Sequence, residues 1–394
     1  MKARKPILIL AAAAAFLIIC LGAGALPADE GAPSDEELRD EIERQTEALD
    51  LAPLEEYFAE LGSFTGEGMT SAEDFIAEYA GADPGGRPLD LWEILKARAK
   101  RELGRAAGAI SSLASAAMLT ALSGVVGDKG IKPILSFALS CTAAALAAGA
   151  FASLAGTAYD AVREAGKLTE CAAPVMSALL VSMGSASSAG SFRPLMAFLS
   201  GTVVSLVEKA ALPVVIAGGV FSIADAITDG KRVAELVKLC RTAAKWLLGL
   251  ISTFYMGAAA VSGMTVAARD GVSLRTAKYA IDKLVPVVGN MVGGTVDAVM
   301  GCALLVKNGV GIAVILILLS RIARPLVVLA AGSLIFRAAS AVCQPAADPN
   351  TVRLFSNAAD TTSLLFACAA VTGAMLALTV LVFIASGGVT AGLW

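Results

Sequence analysis

Apolar runs about as long as a membrane is thick recur over most of the chain, and they limit its fold more than any other feature. A helix needs roughly 20 successive apolar residues to cross a bilayer. Hydrophobic residues make up 57% of the sequence and charged residues 16%, whereas soluble proteins carry about 25% charged residues. The sequence therefore predicts an all-α fold, a polytopic transmembrane helical bundle.

The apolar runs predict about six to eight spans. Two runs are short and are separated by GSASSAGSFR, which predicts broken helices that are buried in protein or line water. Residues 310–336, interrupted by Arg321 and Arg324, predict one kinked helix or two half-helices. Polar loops are expected at 159–170 and 344–357. The other expected spans or part-spans are 106–126, 133–158, 174–183, 195–207, 213–227, 247–267, 286–306 and 362–384.

The first 25 residues have the three parts of a secretory signal peptide. Three basic residues precede the apolar core 7–21, and small residues follow as far as Ala25. An uncleaved signal anchor is the alternative. Either form would carry the next segment out of the cytoplasm.

Residues 26–90 are expected to form a small acidic extracytoplasmic segment. Between residues 26 and 95 there are 20 acidic side chains and three arginines, with too few apolar residues for a core of their own. A docking arm for an extracytoplasmic partner and a solvated spacer both fit this composition. Residues 91–105 predict a basic interfacial helix lying on lipid headgroups. The multispan membrane domain is expected to occupy 106–394.

The chain contains no histidine, which argues against several kinds of chemistry. Serine–histidine and cysteine–histidine catalysis and the usual zinc sites all depend on that side chain. The seven cysteines are scattered without a CxxC pair, and no glycine-rich phosphate loop is present. The basic residues border the apolar runs, a pattern typical of membrane topology rather than nucleic-acid binding. We therefore expect no catalytic residue, cofactor, metal site or nucleic-acid partner.

The stretch 274–311 has the densest pattern in the chain. An amphipathic helix leads into an apolar run that is rich in glycine and ends at a lysine. Glycines four residues apart let a second helix approach closely within a membrane. The candidates for helix packing or for lining a pore are Gly289, Asn290, Gly293, Gly294, Asp297, Gly301, Lys307 and Asn308, together with Asp225 from an earlier run.

Two of these candidates are carboxylates inside apolar runs. A carboxylate at membrane depth is costly, so Asp297 needs a bound cation, a proton path or a structural partner such as Arg321, Arg324 or Asn308. Asp225 holds the matching position in a faint repeat, in which a proline, a glycine pair and Asp-Ala recur. Matching broken helices of this kind are typical of transporters.

The same central stretch carries a resemblance to a known family. The motif L-R-T-A-K-Y-A, followed by P-V-V-G, D-A-V and G-C-A-L-L-V-K-N-G-V-G, resembles the signature region of the stage III sporulation protein AE family. Its members are polytopic membrane proteins of endospore-forming bacteria. The resemblance extends over roughly residues 104 to 390, beyond the signal peptide and the acidic segment.

This resemblance implies a function, a location and partners, but no catalysis. The function is that of a membrane subunit of the channel or secretion-like complex that links mother cell and forespore and is needed for forespore development. The location is the mother-cell membrane around the forespore, crossed several times, with the N-terminal segment outside the cytoplasm. The partners are the lipid bilayer and other proteins of the stage III sporulation A operon, including a cytoplasmic ATPase and ring-forming subunits. Stage II sporulation protein Q is reached indirectly.

A different class of function remains open beside it. A free-standing secondary transporter or permease for a small solute or ion would use the region of Asp225 and Asp297.

Overall fold

The computed structural model describes Tyr57 and residues 132–182, 186–227, 233–284, 289–344 and 349–385. Every regular element in these stretches is helical, which confirms the all-α prediction. The elements are α1 Lys132–Ser182, α2 Ala186–Leu206, a π turn Val207–Ala211, α3 Leu212–Ile227, α4 Ala234–Leu284, α5 Gly289–Cys343 and α6 Pro349–Ala385.

Helix α1 is continuous over 51 residues, so the polar loop expected at 159–170 is wrong. The charged residues of this stretch recur at helical spacing and leave an apolar stripe on the opposite side. Buried members of that stripe are Ala158, Ala161, Val162, Ala165 and Leu168. The stretch therefore remains helical, because its polar residues occupy one side and its apolar residues pack in the core.

The segment 186–227 is a helical rod with one widened turn. The broken helix expected near GSASSAGSFR is wrong from residue 186 onward, because α2 begins at Ala186, and residues 183–185 lie outside the described part. The π turn ends at Ala211, two residues before Pro213. A proline inside a helix cannot donate a backbone hydrogen bond and crowds the preceding turn. A widened turn at this point accommodates that proline.

Helices α4 and α5 are also longer than expected, with 51 and 55 residues. Of the two alternatives for 310–336, the single helix is correct, with Pro325 inside α5. The polar loop expected at 344–357 is wrong from residue 349 onward, because α6 begins at Pro349. Proline suits the first turn of a helix, where its missing N–H needs no partner.

Helices α1, α5 and α6 form the centre of the bundle, and α5 runs antiparallel to both α1 and α6. At one end, α1 residues 165–180 share an apolar cluster with α5 residues 306–322 and α6 residues 376–383. At the other end, α1 residues 143–147 pack with α5 residues 335–343 and α6 residues 354–359. A third cluster between them brings in α2, α3 and α4.

Within the described stretches, four helical segments are long and apolar enough to cross a membrane. They are Phe137–Val181, Ala197–Asp225, Leu305–Cys343 and Pro349–Ile384. These segments confirm the prediction of a multi-pass transmembrane bundle. The expected total of about six to eight spans stays a prediction, because residues 106–126 and parts of 247–267 and 286–306 lie outside the described side chains.

The signal peptide 1–25, the acidic segment 26–90 and the interfacial helix 91–105 also lie outside the described residues, apart from Tyr57. The Tyr57 ring packs against the cluster shared by α1, α5 and α6. The guanidinium carbon of Arg321 lies 5.0 Å from the centre of that ring. At Tyr57, therefore, the acidic segment touches the helical bundle.

Candidate functional site

The signature stretch meets the end of α6 through a buried lysine. The side chain of Lys307 is fully enclosed, and its Nζ donates a hydrogen bond of 2.9 Å to the backbone carbonyl of Ile384. Nζ also lies 5.7 Å from the centre of the Phe383 ring. The last carbonyls of a helix have no partner within the helix and carry its negative partial charge. A lysine ammonium at this point supplies both a donor and a compensating charge.

Gly311 completes the same junction one helical turn after Lys307. A Cβ at this position would lie 2.7 Å from Ile384 Cδ1, which is closer than real Cβ contacts allow. Only a residue without a side chain lets Ile384 settle against α5. Lys307 and Gly311 therefore act together, because the lysine binds the carbonyl of the residue whose side chain the glycine accommodates. We call this contact the α5–α6 junction.

The other candidates of the signature stretch are placed only by the course of the helix. Gly289 is the first residue of α5, and the remaining candidates before Lys307 follow within its first four turns. The side-chain surroundings of Gly289, Asn290, Gly293, Gly294, Asp297 and Gly301 lie outside the described residues. Their roles in packing or in a pore stay predictions. Asn308 is half-buried beside Lys307.

The structural partners proposed for Asp297 within this chain are wrong. Arg321, Arg324 and Asn308 belong to the same continuous helix as Asp297. At 1.5 Å per residue, Asn308 lies about 16 Å along the axis and Arg321 about 36 Å. These distances exceed the reach of two side chains. The partner of Asp297 stays a prediction, because its side chain lies outside those the structure describes.

Asp225 lies far from Asp297, near the opposite end of the bundle. Ile223, two residues before Asp225, packs against the cluster that contains Phe336 of α5. The rise of α5 between Asp297 and Phe336 is about 58 Å. The two carboxylates therefore do not form one site within a single chain.

The surroundings of Asp225 are unusual for a carboxylate. Its residue is 4% exposed, and one carboxylate oxygen, Oδ1, has no hydrogen-bond partner among the described residues. The Ser222 hydroxyl, one turn earlier on α3, is likewise buried and unpaired within that part of the chain. Buried polar groups nearly always have a hydrogen-bond partner. Two buried groups on one face of α3 without a partner among the described residues are therefore unusual.

A pair that sequence reasoning missed links α1 to the π turn. Arg163 Nε donates a 2.8 Å hydrogen bond to Glu208 Oε1, and a second guanidinium nitrogen contacts the same oxygen. Glu208 and Lys209 interrupt an otherwise apolar candidate span, Ala197–Asp225. These two adjacent charges inside an apolar run were the sequence feature that indicated a polar contact here. The identity of the partner was not available, because Arg163 lies 45 residues away.

A second interhelical network surrounds Asp360 of α6. Its two carboxylate oxygens accept one bond each, at 3.2 Å, from Arg241 of α4 and Arg337 of α5. The Arg241 side chain is 17% exposed and also donates to the backbone and side-chain oxygens of Asn357. Three helices are thus held together by one carboxylate.

The described residues contain no group of three or more cysteine, aspartate and glutamate side chains that could hold a metal ion. Several of their charged contacts join one helix to another. Long antiparallel helices, candidate membrane spans and charges between helices define the class of this protein. It is an all-α, multi-pass membrane protein.

Comparison with known proteins identifies the family of this chain. It belongs to the stage III sporulation protein AE family, whose model matches residues 108–387, and this confirms the resemblance noted in the sequence. The chain is similar to stage III sporulation protein AE of Bacillus subtilis (strain 168), with 31% identity over 217 residues. That alignment covers 55% of this chain and 54% of the relative, so the chain spans about half the length of the curated relative it matches. No solved structure matches the chain.

Proposed function

We propose that this protein is a membrane subunit of the channel or secretion-like complex that links mother cell and forespore, needed for forespore development. The observation that carries the proposal is membership of a sporulation family over 108–387, which includes the four candidate spans found in the described residues. The family's description names a sporulation protein and no reaction. A role in assembly, without catalysis of its own, agrees with the interhelical contacts.

The proposal includes a place and a set of partners. The protein would lie in the mother-cell membrane around the forespore, with residues 26–90 outside the cytoplasm. Its partners would be other proteins of the stage III sporulation A operon, including a cytoplasmic ATPase and ring-forming subunits. Stage II sporulation protein Q would be reached through them.

The proposal is tested by complementation in an endospore-forming host that lacks its own member of the family. The full chain, with an affinity tag, should restore heat-resistant spores and should co-purify with the ATPase and the ring-forming subunits after cross-linking. Restored spores without co-purified partners would contradict the subunit role.

Gly293→Leu sharpens this test, because a bulky residue should block the close helix approach that the glycine pattern predicts. We expect normal membrane levels but reduced co-purification. Gly149→Leu is the matched control, since Gly149 is exposed and a Cβ there would meet nothing within 4 Å. Normal assembly of the Gly293→Leu protein would refute the close-packing role.

The buried Asp225 carboxylate, one oxygen of which has no hydrogen-bond partner among the described residues, favours a second candidate, a secondary transporter for an ion or small solute. Asparagine keeps the shape of aspartate but removes its charge. If Asp225 or Asp297 moves ions or protons, its replacement by Asn should give an assembled complex that forms no spores. For the subunit role we expect Asp297→Asn to assemble and to support sporulation, and Asp297→Leu to lose both.

A further inference from the structure

The last turns of α3 carry two buried oxygen atoms that have no hydrogen-bond partner among the described residues. They are Ser222 Oγ and Asp225 Oδ1, so the two groups are not bonded to each other either. The residues are 1% and 4% exposed, and Asp225 forms no ion pair with a described side chain. Residues three apart on a helix share a face, with their Cβ atoms about 5–6 Å apart. The serine and the aspartate therefore present two oxygens on one side of α3.

Neighbouring helices enclose this part of α3. One turn before Ser222, a Cβ at Gly218 would lie 3.2 Å from the Cβ of Cys240, so α3 and α4 are in close contact. Ile223, the residue after Ser222, packs against the apolar cluster formed by α1, α5 and α6. The two oxygens are therefore shielded from bulk water, although both belong to strongly polar groups.

The charge of Asp225 needs compensation at this place. Buried charges in proteins are paired or coordinate a metal ion, because an isolated buried charge is costly. The end of α3 at Ile227 makes the surroundings more negative, since the last carbonyls of a helix carry its negative partial charge. A water molecule between the two oxygens would supply hydrogen bonds but would leave the charge unbalanced. A cation supplies both a ligand for the oxygens and the missing charge.

We propose that Ser222 and Asp225 bind one monovalent alkali cation, sodium or potassium, at the end of α3. One positive charge balances the single carboxylate, whereas a divalent ion would leave an excess charge in a buried place. The C-terminal ends of helices coordinate such ions in membrane transporters. The expectation of no metal site rested on the missing histidine and the scattered cysteines, and an alkali cation held by oxygen atoms requires neither residue.

This inference goes beyond the proposed function, because a bound cation is compatible with a subunit of a complex and with a transporter. The ion would fix the last turn of α3 against its neighbours. Spore formation and co-purification test what the protein does in the cell. Stability of the purified protein in defined salts tests whether the cation binds, so either idea can fail without the other.

The test compares the purified full chain in choline, sodium and potassium chloride at equal ionic strength. Thermal unfolding in detergent is the measurement, and choline is too large for the enclosed site. A ligand present at about a hundred times its dissociation constant should raise the unfolding temperature of such a chain by roughly 4 °C. We expect a saturable rise of this size when sodium or potassium replaces choline. The ion that is half-effective at the lower concentration is the one that the site prefers.

Three variants locate the effect. Asp225→Asn keeps the shape of the side chain but removes its charge, so its unfolding temperature should be the same in all three salts. Ser222→Ala loses one ligand and should need at least about ten times more cation for half of the rise. Asp160→Asn alters an exposed carboxylate on α1 and is the matched control, which should keep the full rise.

Two results would overturn the inference. One is an equal unfolding temperature of the unaltered protein in the three salts. The other is an equal rise in the Asp225→Asn protein, because the cation would then bind elsewhere. If Asp225→Asn does not fold, binding of radioactive sodium and potassium decides the question. The unaltered and Asp160→Asn proteins should bind one of these ions, and binding of equal strength by Ser222→Ala would refute the site.

Discussion

The α5–α6 junction should be the most sensitive point at the end of the bundle, and Lys307→Met tests it. Methionine fills a similar volume with an apolar, adaptable side chain, but it donates no hydrogen bond and carries no charge. The Ile384 carbonyl would lose a charge-assisted bond of 2.9 Å. Hydrogen bonds to charged groups contribute about 1.5–3 kcal/mol, and the interaction with the helix end adds to this.

A loss of about 2 kcal/mol corresponds to roughly a 30-fold larger opening constant for the last turns of α6, since 1.4 kcal/mol is a factor of ten. Hydrogen–deuterium exchange of the purified protein should therefore speed up by about that factor at residues 380–385, while the exchange of mid-helix amides changes little. The control is Lys245→Met on the exposed side of α4, which should change nothing there. Unchanged exchange at 380–385 in the Lys307→Met protein would refute the proposed role of the lysine.

Two further predictions concern stability in detergent, measured by thermal unfolding. Gly311→Ala should destabilise the protein by about 1–3 kcal/mol because its Cβ would overlap Ile384. Gly149→Ala should not, and equal effects of the two would contradict the close contact. Asp360→Asn should cost about 1–3 kcal/mol because it leaves the largely buried Arg241 without its carboxylate. Glu235→Gln, which alters an exposed pair, should cost less than about 1 kcal/mol.

The class of fold was predictable from the sequence because apolar content and run length decide it. The continuity of α1 was predictable too, since Asp160, Arg163, Glu164 and Lys167 recur at helical spacing. The polar loop at 159–170 was predicted from the number of polar residues, and their helical spacing was not taken into account. Periodicity, not polarity alone, determines whether such a stretch stays helical.

The candidate site was predictable only in part. The signature stretch pointed to Lys307, but its bond to Ile384 joins residues 77 positions apart, and no local pattern encodes that pairing. The same holds for Arg163 and Glu208. The expected partnership of Asp297 with Arg321 failed for a different reason, because it assumed a break in a helix that proved continuous.

The separation of Lys307 and Ile384 also sets an order of events during synthesis. Ribosomes add about 5–20 residues each second. The carbonyl that Lys307 binds is made 77 residues after the lysine itself, so several seconds pass before that bond is possible. In the later part of this interval the whole of α5 has been translated while α6 is still being made. The α5–α6 junction therefore forms late in biogenesis, and shortening the chain before Ile384 would remove it even though the whole signature stretch had been translated.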